Sequence, residues 1–263
     1  MYKYETLKIE VDDRGVMSLL LNRPEKKNAI SSTMISELTD ASEKIDFDKN
    51  VRVVVLGGVG DIFCAGGDLN WMKSQVDNDR PGRIIEARRL AFMLRSLNEL
   101  RCPLIGAVHG GAFGGGVGLA CVCDAVVAES SAKFGLTEAR LGLIPATISP
   151  YVVSRIGEGK SRQFFMSANI FPADYALSLG LIAAHVSKPD MNKRIEEEIS
   201  PYLMAAPEAV AASKRLIRSL GTRIDDSVIE DTVNRLADTW EGEEAATGIE
   251  AFLNKSRFPW GSK

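Results

Sequence analysis

The chain has 263 residues, 45% hydrophobic and 25% charged, a composition that suits one packed globular core, or a core with an appendage, and excludes a disordered chain. A formal net charge of −3 gives no basis for binding nucleic acid or an acidic membrane surface. The opening MYKYETLKIEVDDRG has neither an apolar signal core nor an Arg-rich amphipathic stretch, and no later run approaches the roughly 18 apolar residues of a membrane span, so the expectation is a cytoplasmic protein.

Residues 3 to 21 read as two short strands around a turn at Asp12 to Gly15, the second being VMSLLL. Pro24 breaks the strand, and a helix is expected from Ser31 or Ser32, whose hydroxyl can accept from a free N–H of the first turn. Met34, Ile35, Leu38 and Ile45 share one face of that helix. A strand at Val51 to Leu56 follows, and strand, helix, strand implies a crossover unit. Next comes a glycine turn, IFCAGGDLN (Ile62 to Asn70), then the polar NWMKSQVDNDRPGR, expected as a mobile loop or short helix. Arg83 to Arg101 is helical by period, with Leu90, Met93, Leu94, Leu97 and Leu100 as its apolar stripe. Its other face carries Arg83, Arg88, Arg89 and Arg95, either solvated charges or a cation for a carboxylate at the far end of a substrate.

The strand-like LIGAV (Leu104 to Val108) runs into GGAFGGGVGLACVCD (Gly110 to Asp124), where five of the first seven residues are Gly. Glycine tolerates positive φ and lets a ligand approach the backbone, and free N–H groups at a helix start attract negative charge. Two strand-to-glycine-turn units can each aim one N–H at the same oxygen, which makes an oxyanion hole. The alternative is that the glycines only allow close helix-to-sheet packing. Neither turn is a nucleotide motif: GxxxxGK[ST] is absent, and GGAFGG can only be forced toward G-x-G-x-x-G.

The phrases LNRPEKKNAIS, FCAGGDL, GGAFGGGVGLACVCD, FGLTEARLGLIP and LSLGLIAAHV occur here in the order and spacing of the crotonase superfamily, the enoyl-CoA hydratase/isomerase family, and the chain resembles that family over nearly its whole length. The resemblance implies an α/β fold, a crotonase-like ββα spiral core with a C-terminal helical trimerisation region, divided near residue 190 into a core (1–190) and a helical region (191–263). It implies acyl-coenzyme A thioesters as substrates, coenzyme A entering as part of the substrate with no permanently bound cofactor, and assembly as a homotrimer or homohexamer. It places the two oxyanion donors at Gly67 and Gly115. It further assigns substrate or coenzyme A contacts to Lys26, Lys27, Ala29, Ala65, Asp68 and Leu69, and to Phe252 and Lys255 on the last helix. By composition alone Lys26, Lys27 and Lys255 are solvated charges.

Hydratases of the family carry two glutamates. One is matched by Glu138 of GLTE, the expected acid/base, whose pKa an apolar pocket would raise toward working pH. The other is not matched, because the corresponding position is Gly118, with no side chain. A single carboxylate fits a double-bond isomerase that shuttles one proton, or a decarboxylase. It also fits a hydratase in which Glu138 delivers both hydroxyl and proton from one face, with the water held by another group or by the substrate. A non-catalytic acyl-CoA binder is disfavoured by the presence of Glu138. GLIPATISPYVVSRIG and the GGGVGL variant resemble bacterial hydratases of branched glutaconyl-CoA thioesters, 3-methylglutaconyl-CoA of leucine breakdown or its isohexenyl analogue of terpene breakdown, so hydration of such a substrate is the expected activity, a lyase reaction.

His109, ahead of the glycine turn, and His185, in the strand-like IAAHV, are expected to be structural, the latter at a sheet edge. No Ser, His and Asp arrangement has motif support and no ligand cluster suggests a metal. Cys64, Cys102, Cys121 and Cys123 lack paired C-x-x-C spacing and read as buried free thiols. After Gly180 the pattern turns helical. Met191 to Leu203, Pro207 to Leu220, Ile224 to Trp240 and Glu243 to Asn254 form a tail too thin to bury its apolar faces without the core or another subunit.

Overall fold

The structure is a computed structural model that describes residues 3–261. Nine strands alternate with eleven helices: β1 (Leu7–Val11), β2 (Val16–Leu21), α1 (Ser32–Phe47), β3 (Val53–Gly58), α2 (Leu69–Asp77), α3 (Arg80–Glu99), β4 (Leu104–Val108), β5 (Gly111–Phe113), α4 (Gly115–Val122), β6 (Ala125–Glu129), β7 (Lys133–Gly135), α5 (Ser149–Ile156), α6 (Glu158–Ser167), β8 (Ile170–Pro172), α7 (Ala173–Leu179), β9 (Ala184–Val186), α8 (Met191–Met204), α9 (Pro207–Leu220), α10 (Asp226–Trp240) and α11 (Glu243–Leu253).

A six-stranded sheet runs β1-β2-β3-β4-β6-β9. Only its first pair is antiparallel; the remaining neighbours are parallel, the first two of those pairs joined by the crossovers β2-α1-β3 and β3-α2-α3-β4. A second sheet, β5-β7-β8, stands beside it. Alternate residues serve the two faces of the large sheet. Val54, Leu56, Leu104 and Val126 join the main core with α1 and α3, while Val53, Ile105 and Ala125 pack under Ile199 of α8. Sequence periodicity located α1 well: the Ser31 hydroxyl accepts from the Met34 N–H at 3.2 Å, and Met34, Ile35, Leu38 and Ile45 are buried.

The polar stretch after the first glycine turn takes the short-helix alternative, because Asp68 caps α2 through the N–H groups of Asn70 and Trp71, and Asp79 caps α3 through Gly82 N–H, with Pro81 in the first turn. Two expectations change. The second glycine run is not one turn, since β5 sits inside it and pairs with β7. The chain beyond Gly180 is not wholly helical, since β9 adds an edge strand carrying His185, whose Nδ1 lies 3.0 Å from the Ser130 hydroxyl.

The four cysteines are buried and unpaired, and burial pushes each thiol pKa upward. The helical tail divides in two. Helices α10 and α11 lie back on the core, where Ile229, Val233, Trp240 and Ile249 form one cluster with Ala87, Ala91, Leu143 and Ala146. Helix α9 buries little and leaves Leu216, Ile217 and Leu220 exposed. No helix among the described residues is long and apolar enough to cross a membrane.

Candidate active site

The two glycine turns are joined by main-chain contacts. Cys64 N–H donates to Gly111 O at 3.2 Å, and Phe113 N–H donates to Cys64 O at 3.0 Å. A β-carbon at Gly116 would stand 2.7 Å from Cys64 O, and one at Gly66, where φ is +99°, would stand 3.0 Å from Phe113 O. Side chains at these two positions would push the turns apart. A third loop closes on them: Ile30 N–H donates to Gly66 O at 2.8 Å, Asp68 N–H to Ile30 O at 3.0 Å, and Ala65 N–H to Lys27 O at 3.0 Å. Buried Asn28 fastens that loop through Val59 O and Ile62 O.

Between these loops and the returning α10 and α11 lies a cavity of about 290 Å³. Its wall includes Gly67, Gly115 and Glu138, so three residues separated by 48 and 23 positions in sequence meet in one space. Neither the Gly67 nor the Gly115 N–H has an acceptor among the described residues. Gly115 is the first residue of α4, whose free N–H groups carry the partial positive charge of a helix start.

Glu138 opens the 3-10 turn Glu138–Leu141. The residue is half-buried, but its Oε2 is buried and meets no donor. Burial pushes its pKa up from 4.5 to about 7, against the lowering pull of its own backbone N–H. A carboxyl with that pKa gives and takes protons near neutrality. The rest of the wall is largely apolar, with Trp71, Met72, Leu143 and Ile148 from the core side and Trp240 and Phe258 from the tail. Ile148 fills the volume that a side chain at position 118 would need.

Other predicted contacts fall around this space in different ways. Ala65 and Phe252 line it. Lys26, Lys27 and Lys255 are exposed and Ala29 is buried, all outside the wall. Leu69 is exposed at the start of α2. The Asp68 carboxylate faces its own helix and the Arg23 guanidinium, at 2.9 Å. Burial alone would raise its pKa, yet Arg23 and the Asn70 and Trp71 N–H groups outweigh that and hold it below the usual value.

The basic face of α3 does not supply a cation to the cavity. Arg88 pairs with Glu230, Arg89 with Glu86 and Arg95 with Asp226, while Arg83 donates to the carbonyls of Gln75 and Val76. The cation on the wall is Arg140, which periodicity could not flag because it sits in a short 3-10 turn; it has no ion pair among the described residues. His109 lies 2.9 Å from Gly60 O and is absent from the wall. Trp71, Trp240, Thr147 and Phe258 also line the cavity, and no local signal in the sequence marks them for it. Among the described residues no cluster of potential metal ligands occurs.

Comparison with known proteins agrees with this geometry. Residues 12–263 match the family described as enoyl-CoA hydratase/isomerase. The short-chain-enoyl-CoA hydratase of Clostridium acetobutylicum is 30% identical over 249 residues, covering 92% of each chain. Among solved structures, an enoyl-CoA hydratase from Shewanella pealeana is 34% identical with a TM-score of 0.81, covering 98% of this chain and 97% of the other. Pseudomonas aeruginosa AtuE is 34% identical with a TM-score of 0.79, covering 98% and 100%. On its fold, its paired glycine turns and this match over nearly its full length, the chain belongs to the enoyl-CoA hydratase/isomerase family.

Proposed function

We propose that this protein is an enoyl-CoA hydratase, a lyase that adds water across the double bond of a 2-enoyl-CoA. The observation that carries the reading is the meeting, in one largely apolar cavity, of two unpartnered backbone N–H groups and one buried carboxyl with a pKa near 7. The thioester oxygen accepts from Gly67 and Gly115 N–H. Water, with one hydrogen on the Glu138 carboxylate, attacks C3. The C3–O bond forms as the water O–H bond breaks toward Glu138, and the π pair moves to an enolate whose oxygen the two N–H groups stabilise. Losing one such donor costs about 3 kcal/mol of barrier. Glu138 then delivers its proton to C2 and returns to the carboxylate. Coenzyme A takes part as a piece of the substrate, and no step calls for a bound cofactor or metal.

The finer proposal is a branched glutaconyl-type thioester, whose second carboxylate distinguishes it from crotonyl-CoA. Arg140 supports it as a cation on the wall with no protein carboxylate to pair with. The exposed Leu216, Ile217 and Leu220 of α9 support a homotrimer or homohexamer built through the tail, and four unpaired cysteines suit the reducing cytoplasm.

Having one carboxyl on the wall also favours a second reading, a double-bond isomerase. Mass spectrometry of product separates the two. Purified protein is mixed with 3-methylglutaconyl-CoA, crotonyl-CoA or a 3-enoyl-CoA. A gain of one water on a 2-enoyl substrate, lost in Glu138→Gln, supports hydration. Unchanged mass with a shifted double bond, from the 3-enoyl substrate alone, makes the protein an isomerase. Loss of carbon dioxide from the glutaconyl thioester makes it a decarboxylase.

A further inference from the structure

A hydratase with one carboxyl leaves the second hydrogen of the attacking water without an acceptor. Position 118 cannot supply one, because it is Gly and its space is filled by Ile148. The group that replaces it must be polar, buried on the cavity wall and free of other partners. Six side chains on the wall have polar ends: Trp71, Thr137, Glu138, Arg140, Thr147 and Trp240, the last with an indole that only donates. The Trp71 indole N–H donates to Glu86 at 3.0 Å. Arg140 is exposed and bears only donors. Thr137 is half-buried and immediately precedes Glu138. Thr147 is 5% exposed, and its hydroxyl has no partner among the described residues.

The loop that carries Thr147 is held at both sides. Ala146 N–H donates to Ile144 O at 2.8 Å, and the Ser149 hydroxyl donates to Ala146 O at 2.7 Å. Ile148 O receives the N–H groups of Tyr151 and Val152 at the start of α5. The loop therefore inserts Ile148 where a side chain at 118 would stand and, one residue earlier, places Thr147 on the wall of the same cavity.

We infer that Thr147 is the second holder of the attacking water, a positioning residue whose hydroxyl oxygen accepts the hydrogen that Glu138 does not take. This rests on the hydratase reading. Water held between the Glu138 carboxylate and Thr147 Oγ1 keeps one lone pair directed toward C3. Thr147 gains and loses no proton in the reaction, so the balance of the hydration step is unchanged.

The test compares wild type, Thr147→Val and Thr147→Ser in two assays: hydration of a 2-enoyl-CoA, and exchange of the C2 hydrogens of a saturated acyl-CoA in D₂O. Exchange needs Glu138 to remove a C2 proton and return a deuteron, with the enolate held by the two N–H groups, and uses no attacking water. Thr147→Val should lower hydration kcat about 10- to 100-fold, the loss of one strong hydrogen bond in the transition state, with KM within about twofold. Exchange should stay near the wild-type rate, and Thr147→Ser should recover most of the hydration. If hydration by Thr147→Val equals wild type, or if exchange falls in step with hydration and Ser does not rescue, the assignment is overturned. Wild type that hydrates no enoyl-CoA overturns the hydratase reading and this inference together, whereas wild type that hydrates alongside an equally active Val variant overturns this inference alone.

Discussion

Gly118 and Ile148 exclude each other's side chains: a β-carbon at 118 would stand 2.9 Å from Ile148 Cβ and closer still to its Cγ2. The missing glutamate is thus a packing choice, with Ile148 2% exposed in the space where a carboxyl would have to enter. Gly118→Glu should give no gain in hydration of a dicarboxylic substrate. It should also destabilise the fold by roughly 1–3 kcal/mol through overpacking. For a chain of this size that is about 2–4 °C of Tm per kcal/mol, read by thermal denaturation. Pairing it with Ile148→Gly should return part of the loss. A Gly118→Glu protein that is both stable and faster would remove the steric argument.

Glu138→Gln keeps the shape of the side chain but ends proton transfer. Hydration kcat should fall by about 10² to 10⁴ with KM little changed. Because Oε2 has no donor to lose, the variant should fold as wild type does. A residual kcat near that of wild type would place the acid/base elsewhere.

The raised pKa of Glu138 makes stability depend on pH in a definite direction. Below the unfolded value of 4.5 the carboxyl is protonated in both states and contributes no difference. Between 4.5 and about 7 the unfolded chain ionises while the folded one does not, so stability falls as pH rises through that window and levels off above it. The full difference is on the order of 3 kcal/mol as an upper figure. Urea unfolding of wild type and Glu138→Gln at pH 4 and pH 8 should show wild type losing ground to the variant at the higher pH. Equal differences at the two pH values would mean the carboxyl is not held in an apolar setting.

The same titration should appear in kinetics, with the opposite sense. Attack needs the carboxylate, so kcat/KM for hydration should rise with pH through an apparent pKa near 7 in the free enzyme. A rise centred near 4.5 would show Glu138 to be solvated in solution.

Arg140 offers the cleanest probe of the substrate. If it pairs with a distal carboxylate, Arg140→Met should lower kcat/KM for 3-methylglutaconyl-CoA about 10- to 100-fold, the value of a charge-assisted hydrogen bond, and leave crotonyl-CoA almost unchanged. Equal losses on both thioesters would assign Arg140 to coenzyme A or to the fold.

Much of the chemistry was legible locally. The Ser31 cap, the stripe of α1, the two glycine turns after β3 and β4, and Glu138 ahead of LGLIP are each written within about a dozen neighbouring residues, because caps, turns and helical periodicity depend on neighbours in the chain. The absence of a side chain at Gly118 was equally plain. What fills that absence was not: Ile148 lies 30 residues away, and nothing in either segment alone says that they touch. The fate of the α3 arginines was hidden for the same reason, since Arg88 finds Glu230 across 142 residues and Arg95 finds Asp226 across 131. Trp240, Phe252 and Phe258 close the cavity because α10 and α11 fold back onto α2, α3 and the Glu138 turn. By itself the sequence determined the glycine turns, the candidates Gly67, Gly115 and Glu138 within or beside them, and the helices nearby; only tertiary packing decided which charges were already paired, what occupied the empty position and which side chains lined the cavity, because those depend on contacts between segments far apart in the chain.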